Sequence, residues 1–522
     1  MSDGRQLLVI GIILAAFGIL VVAGGPALAP GEAPTQPATQ DAENGAADDD
    51  DANDDQPSVP AVVQECAAEP PEDFSDPDGG NADTIGWVDG YWYDEPLDID
   101  AEDGLTEDEL ETLSARTAAR FEAMRCITAD EGVPPVTIQS REEFQADQEG
   151  LFADIPADDR LFDNAKLATM LLVDSETDSI EQRQSNRGAA VGGTYNFIEN
   201  EVTIVSDDPN TLQIDEEILA HELGHAIQDQ QFNLSQYERP TTDIDKGMLG
   251  LIEGDVHLIE QRYLDACLAD EWEQECITEE TGTEEGDIDL ANWGLYFKSF
   301  QPYSDGPAFV EHIYETEDGW DAVDELYANP PTSAIQLVKP EQYPELQPVD
   351  VEVPDESTDE WERVGQSNGF EYDTIGIAGI SAMFMSPLIE TRGMFSIYDR
   401  EDMINPEGAL SPFEYHHPET AGWRGDSLYT YQGEGNESGT VWELQWNDPA
   451  DWEPFVESYE ELIEFRGGEA VSDDERTYEF AGTSGYEMAV TIDTDGDRVT
   501  IVTAPSVEQL DEIHTVESAT GS

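Results

Sequence analysis

Apolar positions recur every three or four residues over 107–125 (Leu110, Leu113, Ala118, Phe121), 160–173, 218–229 and 247–264, which predicts an amphipathic helix in each stretch. Thr106-Glu107-Asp108-Glu109 opens the first of them with the side-chain pattern of a capping box. Between the helices the spacing changes to short β-type runs. One covers 136–139, and the runs 194–197 and 201–205, split by the turn residues Glu199-Asn200, predict a hairpin. Residues 373–386 read as one more apolar helix, and 345–366 as an acidic, strand-poor surface excursion. Beyond Gly422 strands dominate, over 427–431, 440–446, 487–493 and 498–503, with helices over 449–464 and from Ser506. Asp493, Asp495 and Asp497 sit at the turn of the last strand pair and lack the distal Glu of a calcium loop, so a hairpin turn is the expectation there. The pattern predicts an α+β protein: a mainly helical domain over 62–420 with a small edge β-sheet, then a small C-terminal α+β module over 421–522.

Ahead of the folded part, residues 7–22 carry no charge, Arg5 precedes them, and small residues fill 23–29. This is a signal or an uncleaved membrane anchor. Pro30 directly after Ala27-Leu28-Ala29 disfavours cleavage, so the expectation for 1–29 is an anchor with the bulk of the chain outside, and secretion after cleavage is the alternative. Residues 30–61, rich in Pro, Ala and Asp, read as a solvated acidic linker.

Charge sharpens the setting. The 522 residues include 119 Asp and Glu against 21 Lys and Arg, a formal net charge of -98. Such a surface repels itself in dilute buffer, whereas at molar salt the Debye length falls to about 3 Å, so a halophilic, high-salt environment is expected. The same charge argues against nucleic acid and anionic lipid headgroups as partners. The ten Trp, eighteen Tyr and eighteen Phe supply a core that a disordered acidic chain lacks. Four cysteines without a C-x-x-C pair speak against a zinc ribbon. In an exported chain they suggest two disulfides, the short loop Cys267-Cys276 and hence Cys66-Cys126, the alternative being four buried thiols. The sequons at Asn233 and Asn436 are compatible with glycosylation.

The chemistry concentrates in Ile218-Leu219-Ala220-His221-Glu222-Leu223-Gly224-His225. At helical pitch His221 and His225 leave one face together, and Glu222 projects beside them. Two imidazoles converging on one ion, with a carboxylate beside it to take a proton from water, make the H-E-x-x-H arrangement of a zinc hydrolase. With only seven histidines in the chain, a chance occurrence is improbable. A third ligand is expected from a following helix, and Glu253, in the apolar stretch Leu251-Ile252-Glu253-Gly254-Asp255, is the best candidate, with Asp255 and His257 less clear. Asp229, one turn beyond His225, is a candidate to orient a ligand imidazole. For the oxyanion donor Tyr303, read as lying between Pro302 and a loop, comes first, with His257, His312 and Tyr343 behind it. His416-His417 point apart as sequence neighbours and read as a loop or a helix N-terminus.

Residues 218–234, ILAHELGHAIQDQQFNL, followed by Leu251 to Asp255, resemble the gluzincin metallopeptidases, whose third ligand is a glutamate on the next helix. The resemblance implies a zincin-like catalytic domain and a surface-anchored, zinc-dependent peptidase with Glu222 as general base and a protein or peptide as substrate. A second resemblance, from Ile85 to the C-terminus, is to a family of haloarchaeal surface proteins. It rests on Gly86-Trp87-Val88-Asp89-Gly90-Tyr91-Trp92, on Gln301 to Gly306 and on Pro330 to Tyr343. In the last block Ala334-Ile335 stand where the family pattern has Thr-Glu, and Lys339 where it has His. That departure keeps open a second function, a zinc-binding envelope protein without turnover.

Overall fold

The computed structural model describes residues 66–515, apart from 78–83, 100–103, 154, 207–213, 270, 278–289, 406–409, 436, 473–475, 481 and 483. The expected anchor (1–29) and linker (30–61), and the sequon residue Asn436, lie outside the described residues. Among those residues no helix is long and apolar enough to cross a membrane.

The chain is a mixture of helix and strand. Helix α1 (Glu107–Arg125) starts at its capping box: Thr106 Oγ1 accepts from the Glu109 backbone N–H at 3.3 Å, and Glu109 Oε2 accepts from Thr106 N at 2.9 Å. From Leu113 to Arg125 every residue of α1 is buried, so its arginines must find partners inside. Helices α2 (Ala157–Thr169) and α3 (Ser179–Ala190) follow. Helix α4 (Glu216–Phe232) carries the H-E-x-x-H sequence. Its N-cap Asp215 accepts from Glu217 N, and it ends where Asn233 turns left-handed at φ 51°. Gly224, in the middle of α4, lies so close to α1 that an added Cβ would stand 2.5 Å from the Phe121 ring. Glycine there costs about 1 kcal/mol of helix propensity and permits that close approach.

Helix α5 (Thr242–Leu268) extends beyond the expected 247–264 at both ends, and α6 (Trp293–Thr316) runs through Pro302 and Pro307. Tyr303 is therefore on a helix and not at a loop, a correction to the proline-based reading. The packing explains why the helix continues: α5 and α6 meet backbone to backbone at Gly250, Gly254 and Gly306, and a Cβ on Gly254 would be 2.4 Å from the Gly306 carbonyl. A cross-helix contact of this kind overrides the local cost of proline. Gly254→Ala is expected to lower stability by about 3 kcal/mol or more, since backbone cannot move aside as a side chain can. Gly365→Ala, whose methyl would meet only Glu371 at 4.0 Å, is the control. Equal unfolding midpoints for the two variants would remove this account of the crossing.

A three-stranded sheet stands beside α4. In it β3 (Glu201–Ser206) pairs in parallel with β1 (Val136–Ser140) and antiparallel with β2 (Gly193–Asn196), so the expected hairpin is present with β2 at the edge. The larger sheet has eight strands. They are β4 (Glu362–Arg363), β5 (Tyr372–Asp373), β6 (Trp423–Gln432), β7 (Ser438–Trp446), β8 (Gly468–Ala470), β9 (Thr477–Phe480), β10 (Ala489–Asp495) and β11 (Arg498–Ala504). Their order is β8-β9-β10-β11-β7-β6-β4, with β5 also on β6. Asp495 pairs with Arg498, as a hairpin turn requires. A boundary at residue 421 divides this sheet, because β4 and β5 precede it and pair with β6. The expected surface excursion at 345–366 likewise contains β4 and buries Val351, Val353, Trp361 and Val364.

One core joins α2, the first half of α6, α7 (Gly376–Glu390) and the large sheet around Met383, Trp442 and Phe455. A second lies between α1, α4, α5 and the second half of α6, around Phe121, Leu223, Val256 and Phe309. Both disulfides are formed, Cys66–Cys126 at the end of α1 and Cys267–Cys276 at the end of α5. The second holds the segment whose Ile277 N–H donates to Glu216 Oε2 at 2.9 Å and whose Ile277 carbonyl accepts from Glu216 N at 2.8 Å, clamping the start of α4.

Candidate metal centre

Helical pitch sends His221 and His225 from α4 toward α5, where Glu253 meets them. The two Nε2 atoms are 3.1 Å apart, and Glu253 Oε2 lies 3.2 Å from His225 Nε2 and 3.5 Å from His221 Nε2. All three side chains are buried, and one ligand atom from each lies within 4.8 Å of the others.

The far side of each ring decides what the near side can do. His221 Nδ1 is 2.9 Å from Glu260 Oε2, a carboxylate seven residues beyond Glu253 on α5. His225 Nδ1 is 3.0 Å from Gln228 Oε1. The amide orientation of Gln228 follows from its neighbours, since its Nε2 donates to Ile252 O at 3.0 Å and to Asp255 Oδ2 at 3.2 Å. Both Nδ1 atoms therefore donate. In neutral rings both Nε2 lone pairs then face Glu253, and three acceptors at this spacing repel one another unless a cation or a proton lies among them. The donor set fits a metal ion on that ground.

The titration behaviour has the same origin. Burial pulls His221 down, but the Glu260 and Glu253 carboxylates outweigh it and hold the ring well above its ordinary value. His225 is raised in the same way, chiefly by Glu253. Glu253 is pushed up by burial and drawn below the usual carboxylate range by the two imidazoles. The protein thus concentrates attraction for positive charge at one buried point.

Glu222 lies against the first residue of β2, close enough that a Cβ on Gly193 would be 2.8 Å from its Oε1. Burial pushes its carboxyl up, opposed by the neighbouring His221 and His225. Tyr303 reaches the centre from α6 and donates to Glu253 Oε1 at 2.9 Å, so its hydroxyl serves the third carboxylate. Burial pushes that phenol well above its usual range.

Asp229 does not orient a histidine. Its Oδ1 accepts from Leu234 N at 2.7 Å and its Oδ2 from the Tyr195 hydroxyl at 3.0 Å, which spends the carboxylate on the end of α4 and on β2. Gln228 and Glu260 take the orienting positions instead. Their signal in the sequence is weak: Gln228 is one turn after His225, and Glu260 shares a face with Glu253. Behind Gln228, Asp255 accepts from Tyr327 Oη at 2.8 Å and pairs with Arg125 Nε at 2.5 Å, both charged side chains being fully buried. Asp255 is thus a support for the site and not a ligand. His257 pairs with Glu260 at 2.7 Å, and the Tyr343 hydroxyl is bonded to Asn329. His312 is on the later part of α6, one turn before Thr316, and its carbonyl accepts from the Thr316 hydroxyl. His416 and His417 lie in a loop, His417 stacked on Tyr398.

Residues 362–514 match the family model described as "Domain of unknown function (DUF8575)". The match begins at the first residue of β4 and takes in the large sheet, whereas α4 and α5, which carry the metal centre, lie outside it. No curated protein and no solved structure matches the chain.

Proposed function

We propose that this protein is a zinc-dependent peptidase of the gluzincin type, acting outside the cell from an N-terminal membrane anchor. The observation that carries the reading is the convergence of His221, His225 and Glu253 with both rings fixed from behind and Glu222 beside them. Two nitrogens and one carboxylate oxygen are the donor set that suits zinc with a position left for chemistry. A zinc ion held there supplies Lewis acidity toward water and a substrate carbonyl.

The chain's own groups do the rest. Glu260 and Gln228 keep both imidazoles in the Nδ1–H tautomer, so each Nε2 stays a donor of electrons. Tyr303 holds Glu253 in its rotamer. Glu222 accepts a proton from water as the peptide carbonyl is attacked and returns it to the leaving amine, the two halves of general acid–base catalysis. The edge strand β2 begins beside Glu222, and the side of it that pairs with no strand among the described residues suits an extended peptide laid along it by main-chain hydrogen bonds. Two disulfides and the acidic composition support an extracellular, salt-rich setting.

The purified protein, assayed in molar sodium chloride, is expected to hold close to one zinc per chain by elemental analysis and to cleave casein or a peptide library. A strong chelator should remove both metal and cleavage, and zinc should restore them. Cleavage indifferent to the chelator would overturn the proposal. One zinc per chain with no cleavage of any peptide would leave a metal-binding surface protein.

A further inference from the structure

The chain has only four lysines, Lys166, Lys246, Lys298 and Lys339, and three of them come together. Lys166 on α2 and Lys298 on α6 line a cavity of about 380 Å3, with Arg183 of α3 and Arg239 just before α5. Lys246, on the first turns of α5, lies close enough to raise the electrostatic cost of charge on Lys298. The carboxylates in the same wall are Asp159, Asp163, Asp245 and Asp373, so the lining holds as many basic as acidic side chains. In a chain with 119 acidic and 21 basic residues, that parity is a local exception to the acidic excess.

Most of these charges are already spent. Lys166 Nζ lies 3.0 Å from Asp163 and 2.9 Å from Asp373. Arg183 reaches Asp163 at 2.7 Å, and Asp245 takes Arg239 at 3.2 Å and Lys246 at 3.7 Å. Asp373 also accepts from the Thr242 backbone and hydroxyl, and Asp159 from Ser367. This network ties α2, α3, α5 and β5 together, and structure alone accounts for it. Lys298 is outside it: among the described residues it makes no hydrogen bond and no ion pair. Lys298 is half-buried, and beside it the Nε–H of Arg183 is buried with no acceptor. A half-buried ammonium with no carboxylate of its own, beside the unmatched Arg183 Nε–H and at a cavity whose carboxylates are already paired, leaves positive charge free to meet an anion.

We propose that this cavity is a binding site for a small molecule bearing an oxyanion group, a carboxylate or a phosphate, with Lys298 as its ion-pairing ammonium and Arg183 as a second donor. Burial and the neighbouring Lys166 and Lys246 push the Lys298 ammonium down to about 7, so an anion there relieves repulsion as well as making a bond. Within the cavity the attraction is screened by salt far less than at the surface, so binding survives in molar chloride. The site stands apart from the metal reading and needs neither zinc nor catalysis.

Four lysines make a simple spectrum. Reductive methylation of the full-length protein with 13C-formaldehyde keeps each charge and gives one dimethylamine signal per lysine, besides the N-terminus, with Lys298→Arg identifying the signal of interest. At constant ionic strength in sodium chloride, inorganic phosphate and then succinate are titrated in. The expected result is a saturable shift of the Lys298 signal at millimolar anion, with its pKa raised by at least one unit, while Lys339 stays still. A response to phosphate alone assigns a phosphorylated ligand, to succinate alone a carboxylate, and to both a general oxyanion site. A Lys298 signal that moves no more than that of Lys339 with either anion overturns the proposal; Lys298→Arg serves only to assign the signal, and the shift itself is read on the wild-type chain.

Discussion

Glu222→Gln is expected to abolish peptide cleavage, by about 100- to 10,000-fold in kcat, while zinc stays near one per chain. The substitution keeps the shape of the side chain, and the ligands His221, His225 and Glu253 are untouched, so metal content and activity should part company. Gly193→Ala offers an independent approach to the same group, since its methyl would occupy the space of Glu222 Cγ and Oε1, at 2.7 and 2.8 Å. Displacing the carboxylate should lower kcat and leave the zinc in place. Elemental analysis and a turnover assay on the same preparations decide the matter. Undiminished cleavage by Glu222→Gln would sink the assignment of the base, and zinc loss in that variant would mean that Glu222 helps to hold the metal.

The second large effect is expected from a residue that touches neither metal nor substrate. Arg125, at the end of α1, pairs with Asp255 in a fully buried contact, reaches Asp324 at 2.7 Å and lies over the Trp320 ring at 4.4 Å. Arg125→Met leaves Asp255 as an uncompensated buried charge, a change that costs about 3–5 kcal/mol. Asp255 in turn holds Gln228, and Gln228 holds His225, so zinc affinity should also weaken by about 10- to 100-fold. Chemical unfolding in high salt measures the first effect and competition with a zinc chelator the second. The double variant Arg125→Met/Asp255→Asn should recover stability without recovering affinity. A loss below about 1 kcal/mol together with unchanged zinc affinity would show that the relay carries neither.

What the sequence showed without help was local. Thr106 to Glu109 spell a capping box whose partners are three residues apart, and the box forms. The Glu199-Asn200 turn lies between two runs that pair directly across it. His221 and His225 are one turn apart at helical pitch, so their common face, with Glu222 beside it, follows from the spacing alone. Cys267 and Cys276 are nine residues apart, which made their pairing the simplest choice.

Where the reading departed from the structure, a deciding contact lay outside the local pattern. Asp229 stands one turn from His225, yet β2 and the end of α4 claim its carboxylate through Tyr195 and Leu234. Pro302 argues for a loop around Tyr303, but the close approach of Gly254 and Gly306 keeps α6 helical and delivers the hydroxyl to Glu253. A change of pattern near Gly422 suggested a boundary, whereas the strand hydrogen bonds run back to Glu362 and Tyr372.

The sequence by itself thus determined most of the elements, the spacing of the histidine pair and Glu222, and the acidic excess, because each of these depends on a few adjacent residues or on a sum over the chain. The sequence singled out Glu253 as the candidate third ligand, but only the tertiary structure decided that it meets the histidines, which groups lock their rings, and which lysine has no carboxylate partner among the described residues. Arg125 and Asp255 are 130 residues apart, and His221 and Glu260 are 39. Buried charges find one another because the interior makes an unpaired one costly, and helix packing, which no local pattern encodes, selects the partner.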